Sequence, residues 1–145
     1  MPINSFRGLI ADGAIDTVLL HTNTGSTGYR ITKLHGMANA PGAADGEHII
    51  KIYKIPQTTV DGTVDLSDNT LIASLYFTNR TDTLHSNENV IIADNEIFNQ
   101  DIYITHSDIR GSAAANYYIE LEQVKLDLNE NTVATLKDIR NIKSQ

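Results

Sequence analysis

An all-β fold, a single β-sandwich of seven to eight strands with a jelly-roll or immunoglobulin-like arrangement, is what this sequence predicts. Three observations predict it. Short runs rich in Ile, Val, Thr, Tyr and Phe recur along the chain, separated by clusters of Gly, Asn, Asp, Ser and Thr. That is the pattern of strands divided by turns. No long helical segment lies between these runs, so a parallel α/β arrangement is disfavoured. In the last long run, Tyr117, Ile119 and Leu121 share one face, whereas Val124, Leu126 and Leu128 have the other parity. Strand side chains alternate with a period of two, so this change requires a bulge or a switch between sheets. Sandwiches supply both.

The elements follow in order. Residues 1–12 read as an extended N-terminal arm, with apolar Ile3 and Phe6 lacking any local partner. Such an arm either adds to a neighbour's sheet edge or stays a disordered terminus. The sandwich domain spans 13–128. Asp12-Gly13 makes a turn, and Ile15 to Thr22 reads as a strand. The glycines of Asn23–Gly28 then permit positive φ in a polar loop. In the next strand Tyr29, Ile31, Lys33, His35 and Met37 share a face, and Lys33 and His35 interrupt the apolar row.

Ala38 to Glu47 is an exposed loop carrying Pro41-Gly42 and Asp45-Gly46. His48 to Ile55 is a strand with Ile50 and Ile52 inward and Lys51 and Tyr53 opposite; Pro56 ends it. Gln57 to Asn69 is the longest polar connection. Thr70 to Thr78, Val90 to Ala93 and Asp101 to Thr105 are further strands, with Ile97-Phe98 plugging the edge of the core. In the tail, 129–145, Val133, Leu136, Ile139 and Ile142 recur at threes, Asn129 is placed to cap a helix, and Lys137, Arg140 and Lys143 fall in its last turns. The run Thr132 to Leu136 also fits a continuing strand.

Composition narrows the function. At 145 residues the chain has the length of one domain, and 41% hydrophobic residues make a thin core. The formal net charge is -7 with no Lys/Arg run, which speaks against a phosphate-backbone partner. No apolar stretch approaches bilayer-spanning length. The N-terminus does not look like a secretion signal, so a cytoplasmic site of synthesis is expected. Cysteine is absent, so there is no disulfide, thiol nucleophile or Cys-based zinc site.

The candidate chemistry is thin. His106-Ser107-Asp108 contains the three residue types of a catalytic triad, but adjacent residues on a strand point in opposite directions. It reads as a solvated strand-end loop. Glu120 and Glu122 sit about 7 Å apart on one strand face, between the spacings of retaining and inverting glycosidases; a charged outer face explains them more simply. Asp65, Asp68 and Asn69 weakly resemble a calcium loop without its glycine and terminal glutamate, and Asp and Asn form turns anyway. Asn79-Arg80-Thr81 matches a glycosylation sequon, and Gly25–Gly28 lacks the lysine and helix of a phosphate loop. No catalytic, cofactor-binding or metal-binding residue is expected, and no enzyme.

The order and phrasing of certain segments carry a resemblance. Tyr29-Arg30-Ile31-Thr32-Lys33-Leu34 is followed by His48-Ile49-Ile50-Lys51-Ile52-Tyr53-Lys54-Ile55-Pro56, and then by Asn89-Val90-Ile91-Ile92. Asp101-Ile102-Tyr103-Ile104-Thr105-His106-Ser107 and Ala115-Asn116-Tyr117-Tyr118-Ile119-Glu120-Leu121-Glu122 complete the series. Over residues 15–128 the chain resembles small β-sandwich virion proteins of tailed bacteriophages, particularly marine cyanophages. The resemblance implies a particle subunit, assembled in the bacterial cytoplasm and located in the virion. Such proteins decorate or cement the capsid or complete the tail, often as trimers or other cyclic homo-oligomers. Its partners would be its own copies and the major capsid or tail proteins, with neither nucleic acid nor membrane.

Ile3, Phe6, Leu136, Ile139 and Ile142 are the expected interface residues. A second class of function also stands: a fibre-associated or carbohydrate-binding module for host attachment, using loops 38–47, 57–69 and 79–87. These loops contain no aromatic residue, which favours the first class.

Overall fold

A computed structural model describes residues 3–20, 27–40, 46–79, 88–93 and 96–126, and all of its regular structure there is β. The strands are β1 (Ile3–Ile10), β2 (Ile15–Val18), β3 (Thr27–Ala38), β4 (Gly46–Tyr53), β5 (Leu71–Asn79), β6 (Glu88–Ile92), β7 (Ile102–Asp108) and β8 (Ala115–Lys125). They form a three-stranded sheet ordered β1-β8-β3 and a five-stranded sheet ordered β2-β7-β4-β5-β6. Every pairing is antiparallel. The sandwich anticipated from the turn spacing is the fold. The tail expected to be helical, with Leu136, Ile139 and Ile142, lies outside the described residues.

The core fills the gap between the sheets, as alternation requires. Ile31, Leu34, Ile119 and Leu121 of the small sheet meet Ile50, Ile52, Leu75, Ile102 and Ile104 of the large one, all at or near zero exposure. Phe98 belongs to no strand. It forms an isolated bridge with Tyr29 across the sandwich, with the rings stacked at 6.4 Å. The expected plug at Ile97-Phe98 is therefore Phe98; Ile97 remains partly exposed.

Two readings need correction in register. The arm expected over residues 1–12 is extended, but it is not free. Residues Ile3 to Ile10 pair continuously with Glu122 to Ala115 of β8 and form an edge of the small sheet. Long-range pairing of this kind leaves no trace in the local sequence. The bulge or sheet switch expected in the last strand between Leu121 and Val124 is not there, since Leu121 to Lys125 pair consecutively with β3. β8 pairs with β1 without interruption through Glu122, and the irregularity lies in β3, between Ile31 and Lys33.

Thr32 is the extra residue, and its hydroxyl donates to the Glu120 carbonyl at 3.1 Å. The bulge turns Tyr29 and Ile31 inward but Lys33, His35 and Met37 outward. Those five residues do not share a face. The polar interruption of the row is the bulge itself.

β1 crosses from its sheet into β2 through a turn in which Gly13 adopts φ 79°, a conformation open to glycine at little cost. Gly8 matters for a different reason. Its partner Tyr117 points inward and passes over it, so that the phenol donates to the Asp16 carboxylate of β2 at 3.0 Å. Burial, then the Asp16 charge, pushes that phenol up to about 12. A Cβ at Gly8 would stand 2.8 Å from the Tyr117 hydroxyl. Gly8→Ala should therefore displace the ring and cost ~1–3 kcal/mol, read as a lower guanidinium midpoint with an unchanged m-value.

Candidate interaction surface

The outward residues of the small sheet lie in rows fixed by register. Arg7, Tyr118 and His35 form one row, and Leu9, Asn116 and Met37 the next. Together with Gly8, Gly36 and Tyr117 they line a shallow, mainly apolar depression of about 530 Å³. Leu9 is 53% exposed, Met37 62% and Tyr118 37%. Isolated exposed apolar residues are ordinary, whereas contiguous ones mark contact surfaces.

Beyond the depression, ion pairs cross this face. Arg30 meets Glu122 at 2.9 Å and Lys33 meets Glu120 at 3.2 Å. Glu120 and Glu122 thus serve as ion-pair partners across a sheet. His35 is 3.7 Å from Glu88 of β6, where the two sheets' edges meet.

At one end of the sandwich the inward positions are polar. His48 of β4 and His106 of β7 are fully buried, their rings stacked, with His48 Nδ1 2.9 Å from His106 Nε2. His106 Nδ1 is 3.2 Å from the Ala11 carbonyl, which only accepts. Neutral rings then have one consistent assignment: His106 Nδ1–H donates to Ala11, and His48 Nδ1–H donates to His106 Nε2. Phe77 stacks on the other side of His48. Burial holds His48 below its ordinary 6.5; Asp108 and Asp12 oppose this, while His106 reinforces it.

The sign of the consequence follows. As pH falls the unfolded chain takes up this proton before the folded one, so stability is full above pH 6.5 and declines from there toward the folded value. In wild type the urea midpoint should drop between pH 7.5 and 5, and His48→Gln should flatten that drop.

Asp108 completes this end. Its carboxylate accepts from the backbone N–H groups of Glu47, Arg110, Gly111 and Ala113, each at 3.1 Å. Its own N–H donates to Asp12 at 2.8 Å. His106-Ser107-Asp108 is therefore not a solvated loop. It is the end of β7, with His106 and Asp108 buried on one side and Ser107 on the other, and both inward members are engaged structurally.

The long connection after β4 is not a free loop either. It lies over the outer face of the large sheet, where Lys51 Nζ donates to Asp61 at 3.0 Å and to the Thr63 carbonyl at 2.6 Å. The ammonium also stands 5.6 Å from the Tyr53 ring centroid. Burial opposes the charge on Lys51, yet Asp61 and Tyr53 outweigh it and hold the ammonium above its ordinary range. Asp65 and Asp68, the calcium-loop candidates, accept instead from Ser67 and Thr70, two residues further on. They are turn caps. Among the described residues no group of three or more His, Asp or Glu is arranged to hold a metal ion.

Of the expected interface residues, Ile3 is 59% exposed on the outer face, while Phe6 packs against the chain's own core. Leu136, Ile139 and Ile142, the sequon's Arg80 and Thr81, residues 41–45 of loop 38–47 and residues 80–87 of loop 79–87 are outside the described residues. The residues missed by the sequence reading are Leu9, Met37, Asn116 and Tyr118. Their outward orientation depends on the Thr32 bulge and on β1–β8 pairing. No protein-family model matches this chain, and no curated protein matches it.

Proposed function

We propose that this protein is a structural subunit that works through protein–protein contact, and that it is an accessory capsid decoration or cement subunit of a bacteriophage particle. One observation supports the contact role: the apolar depression around Leu9, Met37 and Tyr118, open on one face of the small sheet. A monomer has no structural use for exposed apolar side chains gathered in this way. The phage assignment rests on the likeness of residues 15–128 to small virion sandwiches. Tail or head–tail connector placement belongs to the same class.

The test is light-scattering mass in solution, followed by co-sedimentation with emptied capsids and isolated tails of a panel of cyanophages. Saturable binding at a fixed stoichiometry to either structure supports the reading. A monodisperse monomer that ignores both and instead binds a glycan array overturns it.

A further inference from the structure

The four sheet edges are unequal. β2 has four residues and β6 five, and short edges recruit other chains poorly. β3 is long but carries the bulge at Thr32 and the charge of Lys33, two ordinary means of blunting an edge. β1 has neither. Its eight residues, Ile3 to Ile10, run in unbroken register, and among the described residues its other side has no strand partner. Arg7 is its one charged residue.

Arg7 also stands apart electrostatically. The carboxylates of its face, Glu120 and Glu122, are already paired with Lys33 and Arg30. Among the described residues Arg7 makes no ion pair. A guanidinium without a partner, beside an apolar depression, on a chain of net charge -7, complements one carboxylate flanked by apolar groups.

We propose that β1 is a docking edge: an extended segment of a partner protein adds to it as a fourth strand, placing an acidic side chain opposite Arg7 and an apolar one opposite Leu9. The backbone edge supplies affinity, and the alternate outward positions supply selectivity. The motif read is apolar–x–acidic–x–apolar, with the apolar side chains lying over Ser5 and over the depression at Leu9. This rests on the reading of that face as an interface and names the chemistry of what it takes.

The probe is the blocked peptide Thr-Val-Thr-Glu-Thr-Val-Thr, which presents the motif in either strand direction, with a Lys-for-Glu counterpart. Each is titrated into the full ¹⁵N-labelled chain. Saturable amide shifts confined to residues 3–10, their β8 partners and the β3 lining of the depression, His35 to Met37, are expected, with the Lys peptide at least tenfold weaker. Arg7→Glu, an exposed change whose folding is checked by an unchanged denaturation midpoint, should reverse that preference.

No saturable shift at millimolar peptide, shifts elsewhere, or a preference indifferent to Arg7→Glu each overturn the proposal. So does a concentration-dependent dimer that Arg7→Glu abolishes, since the occupant is then a second copy. The two readings fail separately. Capsid or tail binding that survives Arg7→Glu removes the docking edge alone, whereas peptide binding by a chain that ignores both structures removes the particle assignment alone.

Discussion

Phe98→Ala is expected to cost ~3–5 kcal/mol, the range for removing a fully buried aromatic side chain. Phe98 is 2% exposed and is held from both sides. Its N–H donates to the Tyr29 carbonyl at 2.9 Å, and the Tyr29 N–H donates to its carbonyl at 2.7 Å. The segment carrying it connects β6 to β7 in the large sheet, yet Tyr29 belongs to the small one. One residue therefore links the two layers through backbone and ring together. Truncation leaves a cavity where the layers meet, which neither sheet closes without breaking its own pairing, and it removes an aromatic pair as well. A domain of this size is stable by only about 5–15 kcal/mol, so the loss is a large share. Urea denaturation should show it as a lowered midpoint with the m-value unchanged. Ile97→Ala, one residue away and partly exposed, should cost under about 1 kcal/mol.

What the sequence reveals and conceals divides along physical lines. Alternation marks a strand because its cause is local: Ile50 and Ile52 face inward and Lys51 and Tyr53 outward, as the two-residue period demands. Turn chemistry is equally local, and Asp12-Gly13 turns where it should. Three things were not legible. Ile3 to Ile10 has a partner more than a hundred residues away, and nothing near the arm announces it. The bulge at Thr32 was signalled only by Lys33 and His35 interrupting an apolar row, which a partly buried strand explains as well. The third is Lys51. An outward lysine on a strand reads as solvated, and only the return of the 57–69 connection across the sheet buries it against Asp61. The candidate surface inherits the first two difficulties. Leu9 and Met37 come together with Tyr118 only once β1 and β3 flank β8 in this register.

Asp108→Ala should cost ~2–4 kcal/mol at pH 7, because hydrogen bonds to a charged acceptor contribute about 1.5–3 kcal/mol each and do not add when they share that acceptor. The four backbone donors it loses are not equivalent. Arg110 and Gly111 lie in an exposed segment where water replaces the carboxylate, whereas Glu47 and Ala113 are partly buried. These two carry most of the cost. Asp108→Asn keeps an acceptor without the charge and should fall between the variant and wild type.

Acid distinguishes this site from the histidines. Burial pushes the Asp108 carboxyl up, but the four N–H groups together outweigh it and hold the group below the usual 3.8. On acidification the unfolded chain is protonated first, so this stability is present above pH 3.8 and is lost as pH falls through the lower folded value. The wild-type midpoint should therefore fall in two stages, a first below pH 6.5 from His48 and a second below pH 3.8 to which Asp108 contributes. Asp108→Ala should start lower and show less of the second fall.

The effect reaches the candidate docking edge. The Asp108 N–H holds Asp12, and His106 holds Ala11, the two residues that follow β1. Loosening β7 at this end therefore frees the turn that fixes one end of β1. Amide exchange at Ile10 and Gly13 should accelerate in Asp108→Ala, while Phe6, paired with Ile119 at the middle of the strand, should remain protected. Equal acceleration along all of β1 would mean that the sheet as a whole had opened, and that Asp108 does not act on the turn in particular.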